Sequence, residues 1–178
     1  MQVLIVVDMQ NGVFATPRYQ QDIVVERINR LIDAADQTIF IQHADADMPP
    51  GGEAWQLLPS LHRPVNAISV TKTACDAFYR TELADTLNRL DVRCFTVCGC
   101  ATDYCVDATI KNAASRGYAQ TVAGDAHTTA DRRTVSAVQL IAQHNDVWRD
   151  FIIPGNTLRV EDTEVILREW RTRPDACA

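Results

Sequence analysis

Four reactive side chains follow short apolar segments of this chain: a carboxylate, an imidazole, an amine and a thiol. Asp8 ends the first apolar segment, His43 ends the second, and Lys72 directly follows the third. Cys105 lies shortly after a fourth apolar segment, in the first turn of a predicted helix. If the fold brings them to one edge, these groups form a plausible set for catalysis by a nucleophilic cysteine.

Cys105 is the strongest candidate for a nucleophile. A thiol attacks as its thiolate, and its ordinary pKa is about 8.5. Free N–H groups at a helix N-terminus favour the thiolate, and a neighbouring Lys72 ammonium would lower the pKa of the thiol further. The same N–H groups could hold a developing oxyanion. A buried, inert helix cysteine is the alternative, and position alone does not separate the two.

Asp8 and Lys72 are candidates for the base and the cation. A carboxylate at the end of a wholly apolar strand is partly desolvated, which raises its pKa. That suits a general base that takes the thiol proton and returns it to a leaving amine. Asp8 could instead cap a turn, and the spacing of Lys72 alone favours a solvated loop lysine.

Alternating strands and helices would position these groups. Apolar segments predict strands at residues 2–8, 38–43, 67–71, 93–99, 119–125 and 147–153. Helical spacing is found near residues 22–32, 79–90, 102–116, 131–144 and 162–170, whereas residues 44–64 read as a long irregular loop. The pattern predicts an α/β fold: a three-layer, doubly wound and mostly parallel sheet of about six strands, with helices on both faces. Ligands bind such sheets at the carboxyl ends of the strands.

Length and composition narrow the function classes. The 178 residues predict one domain spanning residues 1–178, and a net charge of −6 argues against a nucleic-acid partner. No run of about 20 apolar residues suggests a membrane span, and no signal-peptide pattern is present, so a cytoplasmic location is expected. The six cysteines are interpreted as free thiols.

Four ordered motifs resemble a known family. They are VVDMQN from Val6 with Phe14 after it, Lys72 followed by AF and TEL, VCGCATDYCVDAT from Val97, and GYAQTVAGDAHTT from Gly117. Their order and spacing are similar to those of the isochorismatase-like, or cysteine hydrolase, superfamily. The resemblance extends from about Val3 to Ile153.

The resemblance implies a catalytic triad of Asp8, Lys72 and Cys105. Family members attack an amide or a related carbonyl with the cysteine, expel an amine and hydrolyse the thioester. Backbone N–H groups of Ala101 and Cys105 would hold the oxyanion, and the Cys100–Ala101 peptide bond would be cis. The expected function is a cysteine-dependent hydrolase of a C–N bond in a small amide, ureido or carbamoyl compound. No cofactor is expected, and the expected assembly is a homodimer or homotetramer.

A metal site is not expected, although the ATDYCV run looks like that of nicotinamidases. Those enzymes carry an Asp-x-His motif and a later histidine in the loop after the second strand. Here neither Asp45 nor Asp47 is followed by a histidine two residues on, and His62 is the only later histidine of the loop. One imidazole among carboxylates is poor metal spacing. The sequence leaves open whether a metal binds near His43, Asp45 or His62.

The remaining site residues and alternatives complete the prediction. Nicotinamidase stays a secondary alternative, as do a thiol esterase or lactonase and an idle binding module with the same fold. A Cys–His dyad with His43 as the base is the mechanistic alternative, whereas the namesake isochorismatase reaction uses no nucleophilic cysteine. The residues expected to contact a small-molecule substrate are Phe14, His43, Trp55, Phe78 and Tyr104.

Overall fold

A six-stranded parallel sheet forms the centre of the protein, whose computed structural model describes residues 1–172. Its order is β3-β2-β1-β4-β5-β6. The strands are β1 (Val3–Val7), β2 (Gln37–His43), β3 (Ile68–Lys72), β4 (Cys94–Cys100), β5 (Ala119–Thr128) and β6 (Leu158–Glu161). The helices are α1 (Gln21–Ala34), α2 (Leu83–Arg89), α3 (Asp107–Ser115), α4 (Ala137–Arg149) and α5 (Thr163–Thr172). The predicted fold class is confirmed.

Helices cover both faces of the sheet, because its central strands are apolar on both sides. All five residues of β1 are buried. Val3, Ile5 and Val7 pack with apolar residues of α2, α3 and α4, whereas Leu4 and Val6 pack with those of α1 and α5. Strands buried on both faces lose the polar alternation of half-exposed strands, and this explains the continuous apolar run in the sequence.

The predicted sixth strand is wrong. Residues 147–149 form the last turn of α4, and β6 lies further on, at Leu158–Glu161. Trp148 lies in α4, and its side chain is fully buried. A short apolar run fits a strand and a buried helical turn equally well, so periodicity could not decide between them. Helix α4 begins at Ala137 and not at the predicted residue 131, since Ser136 forms a capping box with Gln139.

The strand order reverses between β1 and β4, and a crevice for ligands is expected where an open parallel sheet does this. Val7 lies opposite Gly99 in the pairing of β1 with β4. Gly99 has a φ of +122°, and a Cβ atom there would lie 2.2 Å from the carbonyl oxygen of Val7. Only glycine therefore lets the ends of the two strands approach this closely. The Cys100–Ala101 peptide bond, one residue further along the chain, is cis.

Replacing Gly99 with alanine should destabilise the protein severely, by more than about 3 kcal/mol, since the new methyl group would clash with backbone atoms. The free energy of unfolding from urea titration measures the effect. Gly117→Ala is the matched control. Its φ is +86° with no atom within 4 Å of the added Cβ, so only the backbone strain of about 1 kcal/mol remains. Equal losses in the two variants would contradict the close approach at Gly99.

Cys75, Cys98, Cys100 and Cys105 carry free thiols. Cys94 is disulfide-bonded, so the expectation of a free thiol is wrong at that position. Cys177 lies outside the described residues. In the described part of the chain, no helix has both the length and the apolar character needed to cross a membrane.

Candidate active site

Three of the reactive side chains meet at the carboxyl edge of the sheet. Asp8 directly follows β1, and Lys72 is the last residue of β3. The Nζ atom of Lys72 lies 2.8 Å from Oδ2 of Asp8 and 3.2 Å from Sγ of Cys105. Strand β3 is two positions from β1 in the sheet, and the long lysine side chain spans the end of β2 to reach the carboxylate. The structure thus brings together the acid, the amine and the thiol.

Lys72 is buried within the protein. Its side chain is 0% exposed, and that of Asp8 is 3% exposed, so the interpretation as a solvated loop lysine is wrong. Besides Asp8 and Cys105, the Nζ atom donates to the carbonyl oxygen of Ala74 at 3.0 Å. With Nδ1 of His43 at 3.3 Å, four acceptors surround the three N–H bonds of the ammonium group. The buried charge is therefore paired and its hydrogen-bonding capacity is used, as a charge in an apolar interior requires.

Burial shifts the pKa of each member of this group. Desolvation raises the pKa of Asp8, and the attraction of Lys72 opposes that shift without cancelling it. Desolvation alone would lower the pKa of Lys72, but the charges of Asp8 and Cys105 leave it raised. The pKa of Cys105 is raised by desolvation and by the Asp8 carboxylate, against the opposing effect of Lys72. The expectation that the surroundings favour the thiolate is wrong, because burial and Asp8 outweigh the ammonium.

A neutral thiol beside a carboxylate changes what the site can do. Ionising Cys105 into water would add a net negative charge to a buried cluster, which is costly. Transferring its proton to Asp8 leaves the total charge of Asp8, Lys72 and Cys105 unchanged. Asp8 is suited to receive it, because its Oδ1 atom is buried and has no hydrogen-bond partner among residues 1–172. The arrangement therefore allows a thiolate to form by internal proton transfer.

Cys105 lies in a π-helical turn, Thr102–Val106, that precedes α3. The N–H of Val106 donates to the carbonyl oxygen of Ala101 at 3.2 Å and closes the wide turn. The sequence predicts an ordinary helix start here, whereas π-helical turns are rare and occur often at functional sites. Ala101 precedes the turn, after the cis peptide bond. The role of the Ala101 and Cys105 N–H groups as oxyanion donors stays a prediction.

His43 contacts the lysine of this group. It ends β2 opposite Lys72, and its Nδ1 atom lies 3.3 Å from Nζ of Lys72. Its Nε2 atom lies 3.3 Å from Oδ2 of Asp45. An imidazole engaged with Lys72 and Asp45 is poorly placed to take the Cys105 proton, so the geometry does not favour a Cys–His dyad.

Gln10 is a positioning residue that the sequence analysis did not identify. It is fully buried, and its amide nitrogen donates to the carbonyl oxygens of His43 and Trp55, each at 2.9 Å. Its amide oxygen accepts from the N–H of His43 at 2.7 Å. Gln42 also donates to the carbonyl oxygen of Trp55, at 3.0 Å. In the sequence, Gln10 is marked by its place two positions beyond Asp8, within the VVDMQN motif.

The irregular segment between β2 and β3 is held mainly through its main chain. Asn11 donates from its side chain to the carbonyl oxygen of Glu53, and Asn29 donates in the same way to that of Ser60. Backbone N–H groups of Asn11 and Gly12 add bonds to carbonyl oxygens of this segment. These bonds and those to the Trp55 carbonyl fasten it to the edge of the sheet where Asp8 lies.

The predicted aromatic contacts separate into two groups. Phe14 is partly buried against the α1 side of the core. Trp55 has a buried Nε1 atom, which has no hydrogen-bond partner within the described part of the chain. Tyr104, next to Cys105, is 54% exposed and carries the Arg132 guanidinium 4.7 Å above its ring. Phe78 is only 4% exposed and stacks on Tyr118 at 5.6 Å, which places its ring in the core and argues against substrate contact.

The possible metal ligands do not converge. Nδ1 of His62 lies 2.8 Å from Oδ1 of Asp33 on α1, away from the pair formed by His43 and Asp45. Oδ1 of Asp45 accepts the backbone N–H groups of Asp47 and Met48. Among residues 1–172, no three His, Cys, Asp or Glu side chains are grouped so that they could hold a metal ion.

The chain is similar to known proteins of the isochorismatase family. The isochorismatase domain model matches residues 2–144 of this chain. An uncharacterised isochorismatase family protein of Escherichia coli O157:H7 is 29% identical over 149 residues, which are 71% of this chain and 79% of that protein. A streptothricin hydrolase of Streptomyces noursei is 33% identical over 142 residues, covering 73% of this chain and 55% of the relative. The chain thus spans about half the length of the streptothricin hydrolase.

A solved structure agrees with these sequence matches. The crystal structure of an isochorismatase from Pseudomonas putida KT2440 superposes with a TM-score of 0.82 at 28% sequence identity. The superposition covers 92% of this chain and 89% of that one. The likeness therefore extends over most of both chains.

Proposed function

The chain belongs to the isochorismatase family of hydrolases, and we propose that within this family it is a cysteine-dependent hydrolase of C–N bonds. The substrate class is a small amide, ureido or carbamoyl compound. The observation that carries the proposal is the buried contact of Lys72 Nζ with both Asp8 Oδ2, at 2.8 Å, and Cys105 Sγ, at 3.2 Å. A base, a cation and a nucleophile in contact are what covalent acyl transfer requires.

The reaction begins with the thiol. Asp8 takes the proton from Sγ of Cys105, and the thiolate attacks the substrate carbonyl carbon, so that an S–C bond forms and the carbonyl oxygen becomes negative. The N–H groups of Ala101 and Cys105 hold this oxyanion. Lys72 keeps its positive charge throughout, because its pKa is raised, and it stabilises the thiolate and the carboxylate in turn.

The second half of the reaction returns the proton. Protonated Asp8 gives its proton to the leaving nitrogen, the C–N bond breaks, and the amine departs from a thioester on Cys105. Asp8 then takes a proton from a water molecule, which attacks the thioester carbon. When the S–C bond breaks and the carboxylic acid leaves, Asp8 gives this proton to Sγ, which restores the thiol and the carboxylate.

The surroundings of the triad suggest how a substrate is held. We expect Phe14, His43, Trp55 and Tyr104 to border it. The Nε1 atom of Trp55, which no described residue accepts from, is a donor for a substrate carbonyl or carboxylate. The expectations of a cytoplasmic protein, a homodimer or homotetramer, and a small molecule as the only ligand stand as part of this proposal. Nicotinamidase activity remains the narrower alternative.

A screen of small amides, ureides and carbamoyl compounds tests the proposal, with matched esters and with and without added zinc. We expect release of an amine or of ammonia and, after acid quenching during turnover, an acyl mass increase on the peptide that contains Cys105. Acylation of another residue would contradict the proposed nucleophile. Turnover of esters alone would favour the esterase or lactonase, and no turnover of any compound would favour an idle binding module.

A further inference from the structure

His127 is a buried histidine that the proposed reaction does not use. It lies in β5 opposite Gly99 and is 1% exposed. Its Nδ1 atom is 2.8 Å from the hydroxyl oxygen of Thr102, and its Nε2 atom is 2.9 Å from Oδ1 of Asn145. Thr102 is the first residue of the π-helical turn that carries Cys105, so this imidazole connects the turn to α4.

The partners of Asn145 determine the tautomer of His127. The amide nitrogen of Asn145 donates to the carbonyl oxygen of Gly124 at 2.9 Å, so its Oδ1 atom faces the imidazole as an acceptor. Nε2 of His127 therefore carries the hydrogen, and Nδ1 accepts from the hydroxyl group of Thr102. The relay runs in one direction, from Thr102 through His127 and Asn145 to Gly124, and every donor in it has an acceptor.

A second connection from α4 reaches the other end of the turn. Trp148 lies one helical turn beyond Asn145, and its indole N–H donates to Oδ1 of Asp107 at 2.9 Å. Asp107 directly follows the π-helical turn. The Trp148 ring also packs edge-on against His127, with centroids 5.1 Å apart. Helix α4 thus holds the turn at both ends, and Cys105 lies between the two points.

Neutral His127 is required for this arrangement. Burial lowers its pKa to about 4, with a smaller effect in the same direction from His144, while Asn145 and Asp125 act to raise it. At neutral pH the imidazole therefore keeps a free Nδ1 acceptor for Thr102.

We propose that Thr102, His127 and Asn145 are positioning residues, and that their hydrogen-bond relay fixes Cys105 against Lys72 and Asp8. The inference rests on the proposed function only in taking Cys105 as the nucleophile. The relay makes no hydrogen bond to Lys72 or Asp8. It therefore acts on Cys105 by fixing the backbone conformation of the π-helical turn.

Thr102→Val tests the relay, because it keeps the shape of the side chain and removes its hydroxyl group. Thr102→Ser, which retains that group, is the matched control. The measurement is the rate of Cys105 alkylation by iodoacetamide across a pH series, quantified by peptide mass mapping, with exposed Cys75 as an internal standard. We expect Thr102→Val to change the Cys105 rate at least about tenfold and to shift its pH midpoint, with Cys75 unchanged. Thr102→Ser should stay within about threefold of the wild type.

Two further variants keep the test decisive if Thr102→Val folds poorly. Asn145→Ala removes the far end of the relay and should change the Cys105 rate in the same direction. Gln143→Ala, at an exposed position of the same helix, should not change it. Wild-type alkylation rates and pH midpoints in folded Thr102→Val or Asn145→Ala would overturn the proposal. Alkylation needs no substrate, so the relay can be supported even if no amide is ever hydrolysed.

Discussion

Replacing Cys105 with alanine should reduce amide turnover by at least about a thousandfold and leave the fold unchanged. The loss follows from the reaction itself, since no other described thiol contacts Lys72 and no thioester can form without Sγ. Stability should fall by no more than about 1–3 kcal/mol, because the small side chain is partly buried but its loss removes one acceptor of buried Lys72. Steady-state kinetics on an identified substrate, with urea unfolding alongside, measure both quantities.

Cys75→Ala is the matched control for this prediction. Cys75 is also a free thiol, but its side chain is exposed, so its loss should leave turnover unchanged. Retention of wild-type turnover by Cys105→Ala would exclude covalent catalysis by this residue. The site would then have to use an activated water instead.

Replacing Lys72 with methionine should impair both activity and stability, and the size of each effect should depend on pH. The variant removes the charge that pairs with buried Asp8, at an expected cost of about 3–5 kcal/mol near neutral pH. Without Lys72 the pKa of Asp8 should rise further, since the ammonium group lowers it in the wild type. A raised pKa in the folded state gives stability that is present below the unfolded value, about 3.9, and is lost as the pH rises through the folded value. The variant should therefore be more stable at pH 5 than at pH 8.

Lys111→Met makes the same chemical change at a surface ion pair. Nζ of Lys111 is also 2.8 Å from a carboxylate, that of Asp107, but its side chain is 40% exposed. Exposed pairs contribute about 0–1 kcal/mol, so this control should unfold almost like the wild type and keep its activity. Urea titrations of both variants at pH 5 and pH 8 make the comparison. Similar losses in the two variants would show that burial of Lys72 contributes little.

The fold could be predicted because its strongest signals are local. The apolar β-branched run of β1 has no polar alternation, and this indicates a strand covered on both faces. The positions of Asp8 and Lys72 at strand ends then follow from the topology of parallel sheets. The sequence predicts a strand where α4 has its last turn. A short apolar run does not show that Trp148 is buried by tertiary packing, so it cannot separate a strand from a helical turn.

The pKa shifts in the site could not be predicted from the sequence in the same way. A helix start and a neighbouring lysine both suggest a thiolate at Cys105, whereas the raised pKa depends on how deeply the group is buried and on Asp8 beside it. The positioning roles of Gln10 and His127 could not be predicted from the sequence for a related reason. Each acts through hydrogen bonds to residues distant in sequence, and such partners are known only when the chain is folded.

The hydrogen bonds that hold the segment between β2 and β3 determine which mutations the segment can accept. Gln10, Gln42 and Asn11 hold it by its carbonyl oxygens, which are the same for every amino acid. Such bonds set the course of the segment without constraining most of its side chains. Mutations there can alter the shape and polarity of the site's border while Asp8, Lys72 and Cys105 stay on strands and a turn fixed elsewhere. A scaffold of this kind can drift in substrate range without having to rebuild its chemistry.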